Sequence, residues 1–244
     1  MNPDLIKLQP YPFQKLARLF GEVCANAALK PIGLHIGEPK HATPAFIREA
    51  LIAGLDGLAH YPTTIGSDTL RATLAAWLAR RYGIPAPDAK TRVLPVNGSR
   101  EALFAFAQSV IDRSRPDPVV VCPNPFYQIY EGAALLAGAT PHFLNTLQEN
   151  GFALNFAQLP PEVWQRTQLI YVCSPGNPNG RVMPLTEWQT LFEMSDRYGF
   201  VIAADECYSE IYFAAEKPLG ALQAAQQLGR TDYKNLVVFS SLSK

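Results

Sequence analysis

The 244-residue sequence predicts an open α/β fold, a mostly parallel sheet covered by helices on both faces. Three observations predict it. Short apolar runs rich in Val, Ile and Phe recur along the chain, nearly continuous in apolar character, as strands buried on both faces read. Segments with helical spacing separate them, the alternation that builds strand–helix–strand units. Hydrophobic residues make up 48% of the chain and charged residues 17%, with 21 Lys+Arg against 21 Asp+Glu. That balance excludes a disordered chain and leaves no basic excess for a nucleic-acid partner.

The elements follow in order. The first 36 or so residues are irregular and punctuated by proline, as in an arm or a short helix that packs on something else. From Asp68 the pattern turns helical, with Leu70, Leu74, Trp77 and Leu78 on one face. Asp68 is the expected N-cap, and Gly83 with Pro85 closes the segment. Strands are expected at residues 92–96, 119–122, 141–144, 169–173, 200–204 and 236–240. Helices are expected at 99–111, 129–136, 187–198 and 222–228, the third opened by a Thr186-x-x-Gln189 capping box.

Cys24, Cys122, Cys173 and Cys207 lie far apart, three of them in apolar runs. They read as small buried hydrophobes in a reducing compartment, and no metal site is expected. No apolar stretch approaches the roughly 18 residues of a membrane span, and no leader pattern opens the chain. The expectation is a soluble, cytoplasmic protein without a membrane or nucleic-acid partner.

In open α/β sheets ligands sit where strands end, and five strand ends carry candidate groups. Gly98-Ser99-Arg100-Glu101 runs from a strand into a helix. It reads either as a phosphate cradle of helix N–H groups or as a glycine turn before a capped helix. Tyr127 could stack on a planar ring or simply pack at a helix start. Asn177, between two prolines and two glycines, could present its amide or only shape a turn. Asp205 ends the run FVIAA, where a carboxylate is costly unless paired, or else is an exposed terminus. Lys244, after NLVVFSSLS, could act as an amine nucleophile or be a basic residue without a role. Together they match what pyridoxal phosphate needs: donors for its phosphate, a face for its ring, an anion for its ring nitrogen and an amine for its aldehyde.

At this point the sequence resembles the fold-type I pyridoxal-phosphate enzymes, specifically the aspartate-aminotransferase-like class I/II aminotransferases. The resemblance runs from about Ile36 to Lys244. It is carried by Gly37-Glu38-Pro39, by Tyr61, Gly66, Leu70 and Arg71, by Asn177–Gly180, by Asp205 with Tyr208, and by Ser241–Lys244. Whole phrases, among them LQPYPFQKL, NGSREALFAFAQ and DECYSEIYF, are similar to bacterial succinyldiaminopimelate aminotransferases of lysine biosynthesis.

The resemblance implies a residue for each role. Lys244 would hold the cofactor as a Schiff base and then shuttle the proton. Asp205 would pair with the pyridinium nitrogen, and Asn177 and Tyr208 would bond the ring 3′-oxygen. Tyr127 would stack on the ring. Gly98, Ser99, Arg100 and Ser241 would hold the phosphate, and Tyr61 would reach the phosphate of a partner subunit, implying a homodimer with shared sites. Gly37 would approach the substrate carboxylate, and Tyr11 and Phe13 are possible substrate contacts from the arm. Residues 1–36 would form the arm or a small-domain segment and 37–244 the large cofactor domain.

The family continues beyond the lysine, with two further arginines and most of a small domain. The sequence is therefore expected to be part of a longer polypeptide. The activity implied is transfer of an amino group between N-succinyl-L,L-2,6-diaminopimelate and 2-oxoglutarate. The alternatives are another class I/II aminotransferase, a β-lyase or decarboxylase on the same fold, or, with a different outcome altogether, an effector-sensing regulator. The last would need an upstream DNA-binding domain.

Overall fold

A computed structural model of the chain describes every residue except Pro31 and His35. Packing divides the chain into two units. One comprises Met1–Pro31 with Asn97–Leu242, the other Ile32–Val96 with Ser243–Lys244. The division expected at residue 36/37 rested on the reach of the family resemblance, whereas these units are defined by contacts.

The larger unit holds a five-stranded parallel sheet: β1 (Val119–Asn124), β2 (Thr140–Asn145), β3 (Thr167–Cys173), β4 (Val201–Asp205) and β5 (Leu236–Phe239), in the order β2-β1-β3-β4-β5. Parallel neighbours need crossovers. These are α5 (Ile129–Leu136), α6 (Pro161–Arg166), α7 (Leu185–Tyr198) and α8 (Ala221–Gln227). The period-2 alternation of a strand sends neighbouring residues to opposite faces. Val119 and Val121 join Ile170, Val172, Ile202 and Ala204 under α6, α7 and α8. Val120 and Cys122 join Leu169, Tyr171 and Ala203 under α4 (Ser99–Val110) and α5. Both faces are thus dry, which explains why these strands read as unbroken apolar runs.

The strand order reverses between β1 and β3. Such a switch point leaves a crevice at the carboxyl ends of the two strands, where no connection crosses. Here those ends are Asn124 and Cys173.

The smaller unit holds α2 (Ala45–Ala53) and α3 (Asp68–Tyr82). Gly66 lies at φ 78°, a left-handed conformation, and a Cβ there would come within 2.8 Å of Pro95 Cγ. Glycine meets both demands, which accounts for its place in the Tyr61–Arg71 motif. Arg71 is buried, with hydrogen bonds to Asp68 Oδ1 and to the Lys90 carbonyl.

Several expectations are corrected. Residues 92–96 form no strand; Pro95 lacks an N–H, and Leu94 and Val96 are exposed, with no described strand beside them. The cap of α3 is Ser67, whose Oγ accepts from Leu70 N, and Asp68 is the first helical residue. Helix α7 is capped by Pro184 without a side-chain bond, so Thr186 lies inside it and no capping box forms. The expected apolar face of α3 is only partly covered: Leu70 is exposed, while Arg71, Ala75, Arg81 and Tyr82 are buried. The short helix expected in the first 36 residues is α1 (Pro12–Leu19), whereas α2 and α6 were not foreseen. Of the cysteines only Cys122 is fully buried; Cys173 and Cys207 are half-buried and Cys24 is exposed.

Candidate active site

Asp205 is the last residue of β4 and is 5% exposed. Tyr130 Oη donates to its Oδ2 at 2.6 Å, and the Cys207 backbone N–H donates to its Oδ1 at 3.2 Å. No Lys, Arg or His among the described residues pairs with it. A buried carboxylate is costly without a cation, and two donors repay only part of that cost. The arrangement suits a cationic N–H supplied by a ligand. It also decides between the two sequence readings of Asp205, since the residue is no exposed terminus.

The N-terminus of α4 lies beside this carboxylate. Gly98 is its N-cap and no side chain closes the cap, so the first-turn N–H groups keep their capacity for an anion. Cys207 links the two features: its thiol donates to Ser99 Oγ at 3.3 Å. A Cβ on Gly98 would run into the Glu101 carboxylate, which folds back over it. Arg100 is exposed, and its Nε donates to Tyr127 Oη at 2.6 Å, which anchors the outer edge of that ring. The hydrogen bond to Tyr127 raises the Arg100 guanidinium further above its usual range.

Behind Tyr127 a file of aromatic rings leads inward. Tyr127 meets Tyr130 edge-on at 5.9 Å, and Tyr130 stacks on Tyr171 at 4.6 Å and 9°. Tyr208 is half-buried; burial, then Cys173 and Asp205, push its phenol up. Burial, then Asp205, pushes the Cys173 thiol up to about 12. Asn177 is exposed, and its backbone N–H reaches the Cys173 sulfur. It lines a cleft at the switch point with Thr146, Cys173, Gly176 and Arg181. Ser241 is half-buried in the same unit.

The larger unit therefore brings together Gly98, Ser99, Arg100, Tyr127, Asp205 and Tyr208, with Asn177 at the nearby strand end. In the smaller unit Lys244 Nζ donates to the Gly37 carbonyl at 3.0 Å, and Tyr61 is fully exposed. Sequence reasoning gave no role to Tyr130 or Cys207. The signal for Tyr130 was its spacing: three residues after Tyr127, it falls on the same side of a helix start. Cys207 sits inside the Asp205–Tyr208 motif, where a thiol carries no pattern of its own.

A parallel sheet covered on both faces, with these groups at its strand ends, is the large-domain architecture of the aspartate-aminotransferase-like fold. The chain belongs to the aminotransferase class I and II family, whose profile matches residues 30–244 and whose cofactor is pyridoxal phosphate. Among solved structures, an aminotransferase from Neisseria meningitidis is 50% identical with a TM-score of 0.95, over 100% of this chain and 61% of that one. An aminotransferase from Helicobacter pylori is 35% identical with a TM-score of 0.89, over 97% of this chain and 61% of that one. A curated relative, an LL-diaminopimelate aminotransferase from Aquifex aeolicus, is 32% identical over 97% of this chain and 59% of its own length. The chain thus spans about three fifths of these relatives. No helix among the described residues is long and apolar enough to cross a membrane.

Proposed function

We propose that this chain supplies the cofactor-binding part of a pyridoxal-phosphate aminotransferase that acts on a diaminopimelate skeleton. The observation that carries the reading is Asp205: a buried carboxylate with two hydrogen-bond donors and no cation among the described residues, next to an uncapped helix N-terminus. When bound, pyridoxal phosphate supplies a protonated ring that draws electrons from the substrate α-carbon.

The chain's own groups divide the remaining work. Asp205 holds the proton on the ring nitrogen. Gly98, Ser99 and Arg100 bind the phosphate through first-turn N–H groups, and Ser241 adds a hydroxyl. Tyr127 covers one ring face, with Arg100 fixing its tilt. Asn177 and Tyr208 donate to the ring 3′-oxygen. Lys244 Nζ anchors the cofactor and then moves the proton from the substrate Cα. Gly37 faces the substrate carboxylate, and Tyr61 serves the partner's phosphate in a homodimer located in the cytoplasm.

For the substrate, the phrase resemblance favours N-succinyl-L,L-2,6-diaminopimelate with 2-oxoglutarate as acceptor. The Aquifex relative is named for the unsuccinylated LL-diaminopimelate, so both share the skeleton and differ in one acyl group. The test measures glutamate formed by the full-length protein from each compound with 2-oxoglutarate. A kcat/KM at least about tenfold higher for the succinylated compound supports the finer reading; the reverse order overturns it and leaves the skeleton. Pyruvate released without any keto acid would point instead to β-elimination, the second reading.

A further inference from the structure

Resting on the reading of Asp205 as the partner of the ring nitrogen, we propose that Tyr130 is the positioning residue that aims this carboxylate. Tyr130 is fully buried and lies behind Asp205, so it acts through that residue and touches no ligand itself. An ionised carboxylate offers about four lone-pair directions. Tyr130 Oη takes one on Oδ2 and the Cys207 N–H takes one on Oδ1. With both oxygens tied, the carboxylate plane is fixed and its remaining lone pairs point in defined directions.

Tyr130 is itself held in place. Its ring stacks on that of Tyr171, also fully buried, and Tyr171 Oη donates to the Leu103 carbonyl of α4 at 2.7 Å. The chain of contacts therefore runs from the cradle helix through β3 and α5 to the end of β4. Among the described residues the titratable groups facing Asp205 are Tyr130 from α5, Cys173 from β3, and Cys207 and Tyr208 from the turn after β4. None is a cation. Burial, and then Asp205, push the Tyr130 phenol well above its usual range, so the hydroxyl stays a donor at working pH.

The experiment compares two ligands on the cofactor-stripped, full-length protein. One is pyridoxal phosphate; the other is its 1-deaza analogue, in which carbon replaces the ring nitrogen. Binding is read by fluorescence quenching, without turnover. The wild type should favour pyridoxal phosphate. In Tyr130→Phe, which keeps the stacked ring, affinity for pyridoxal phosphate should fall about tenfold, the worth of one hydrogen bond to a charged group. Affinity for the analogue should change by less than about twofold, so the preference shrinks. Tyr171→Phe removes a hydroxyl from the same stack and should leave the preference unchanged, and melting curves verify that each variant is folded. Equal losses for both ligands in Tyr130→Phe, or no loss, would overturn the positioning role. A wild type that binds both ligands equally would instead overturn the reading of Asp205, and the proposal with it.

Discussion

Asp205 accepts two hydrogen bonds in a nearly dry site, yet no cation among the described residues meets it. Its substitution separates fold from function. Asp205→Ala removes a buried charge, so the protein should stay folded by circular dichroism. Cofactor affinity should fall, and turnover should drop by at least about a hundredfold, the scale of one preorganised electrostatic contact. Near-normal turnover would refute the role. The cysteines give a second prediction at this scale. Cys173 is held near 12, so its thiolate fraction at pH 8 is about 10⁻⁴, and Cys122 is pushed up by complete burial. Iodoacetamide at pH 8 should label exposed Cys24 first and leave Cys122 and Cys173 unmodified, as read by peptide mass spectrometry. Because the folded pKa of Cys173 lies above its ordinary 9.0, the neutral form is favoured in the fold. Its contribution to stability is complete below about 9 and is lost as pH rises toward 12. Denaturant titrations of Cys173→Ala should therefore show a shallower alkaline decline than the wild type.

At the scale of elements, α3 shows how a cap is decided. Ser67 and Asp68 are both good N-cap types, and sequence alone does not choose between them. The structure gives the cap to Ser67 and turns Asp68 toward Arg71 at 2.8 Å. Ser67→Ala should cost about 1 kcal/mol in denaturant titration. Asp68→Ala should cost less, about 0.5 kcal/mol or below, because the carboxylate is solvent-exposed. The reverse order would restore the expected cap. The α/β core was legible for a related reason. Strands 119–124 and 201–205 are apolar at every interior position, and 167–173 at every one but Gln168, because helices cover both faces. Residues 92–96 are also mostly apolar, but a strand needs a neighbour to bond, and composition does not supply one.

At the scale of the whole molecule, large apolar side chains stay exposed along the smaller unit, including Phe46, Leu51, Ile52 and Leu58. Surface of this kind asks for cover, in keeping with the proposed homodimer. Tyr61 tests it. In mixed dimers of the full-length protein, one subunit carries Lys244→Ala and one is active. Tyr61→Phe on the inactive subunit should impair turnover more than the same change on the active one. Indifference to its placement would count against shared sites.

The sequence by itself determined the alternating α/β order and the apolar strands of the sheet centre, because apolar periodicity is a local property. Gly98, Tyr127, Asn177, Asp205 and Lys244 were singled out from turn chemistry and residue type, which are local as well. Only the tertiary structure decided that Asp205 is buried with no cation among the described residues, that Tyr130 holds its Oδ2, and that Cys207 joins it to Ser99 at the start of α4. Tyr130 and Asp205 stand 75 positions apart, and Cys207 and Ser99 stand 108. Contacts across such distances follow from which strands become neighbours in the sheet, and no local pattern in the chain encodes that order.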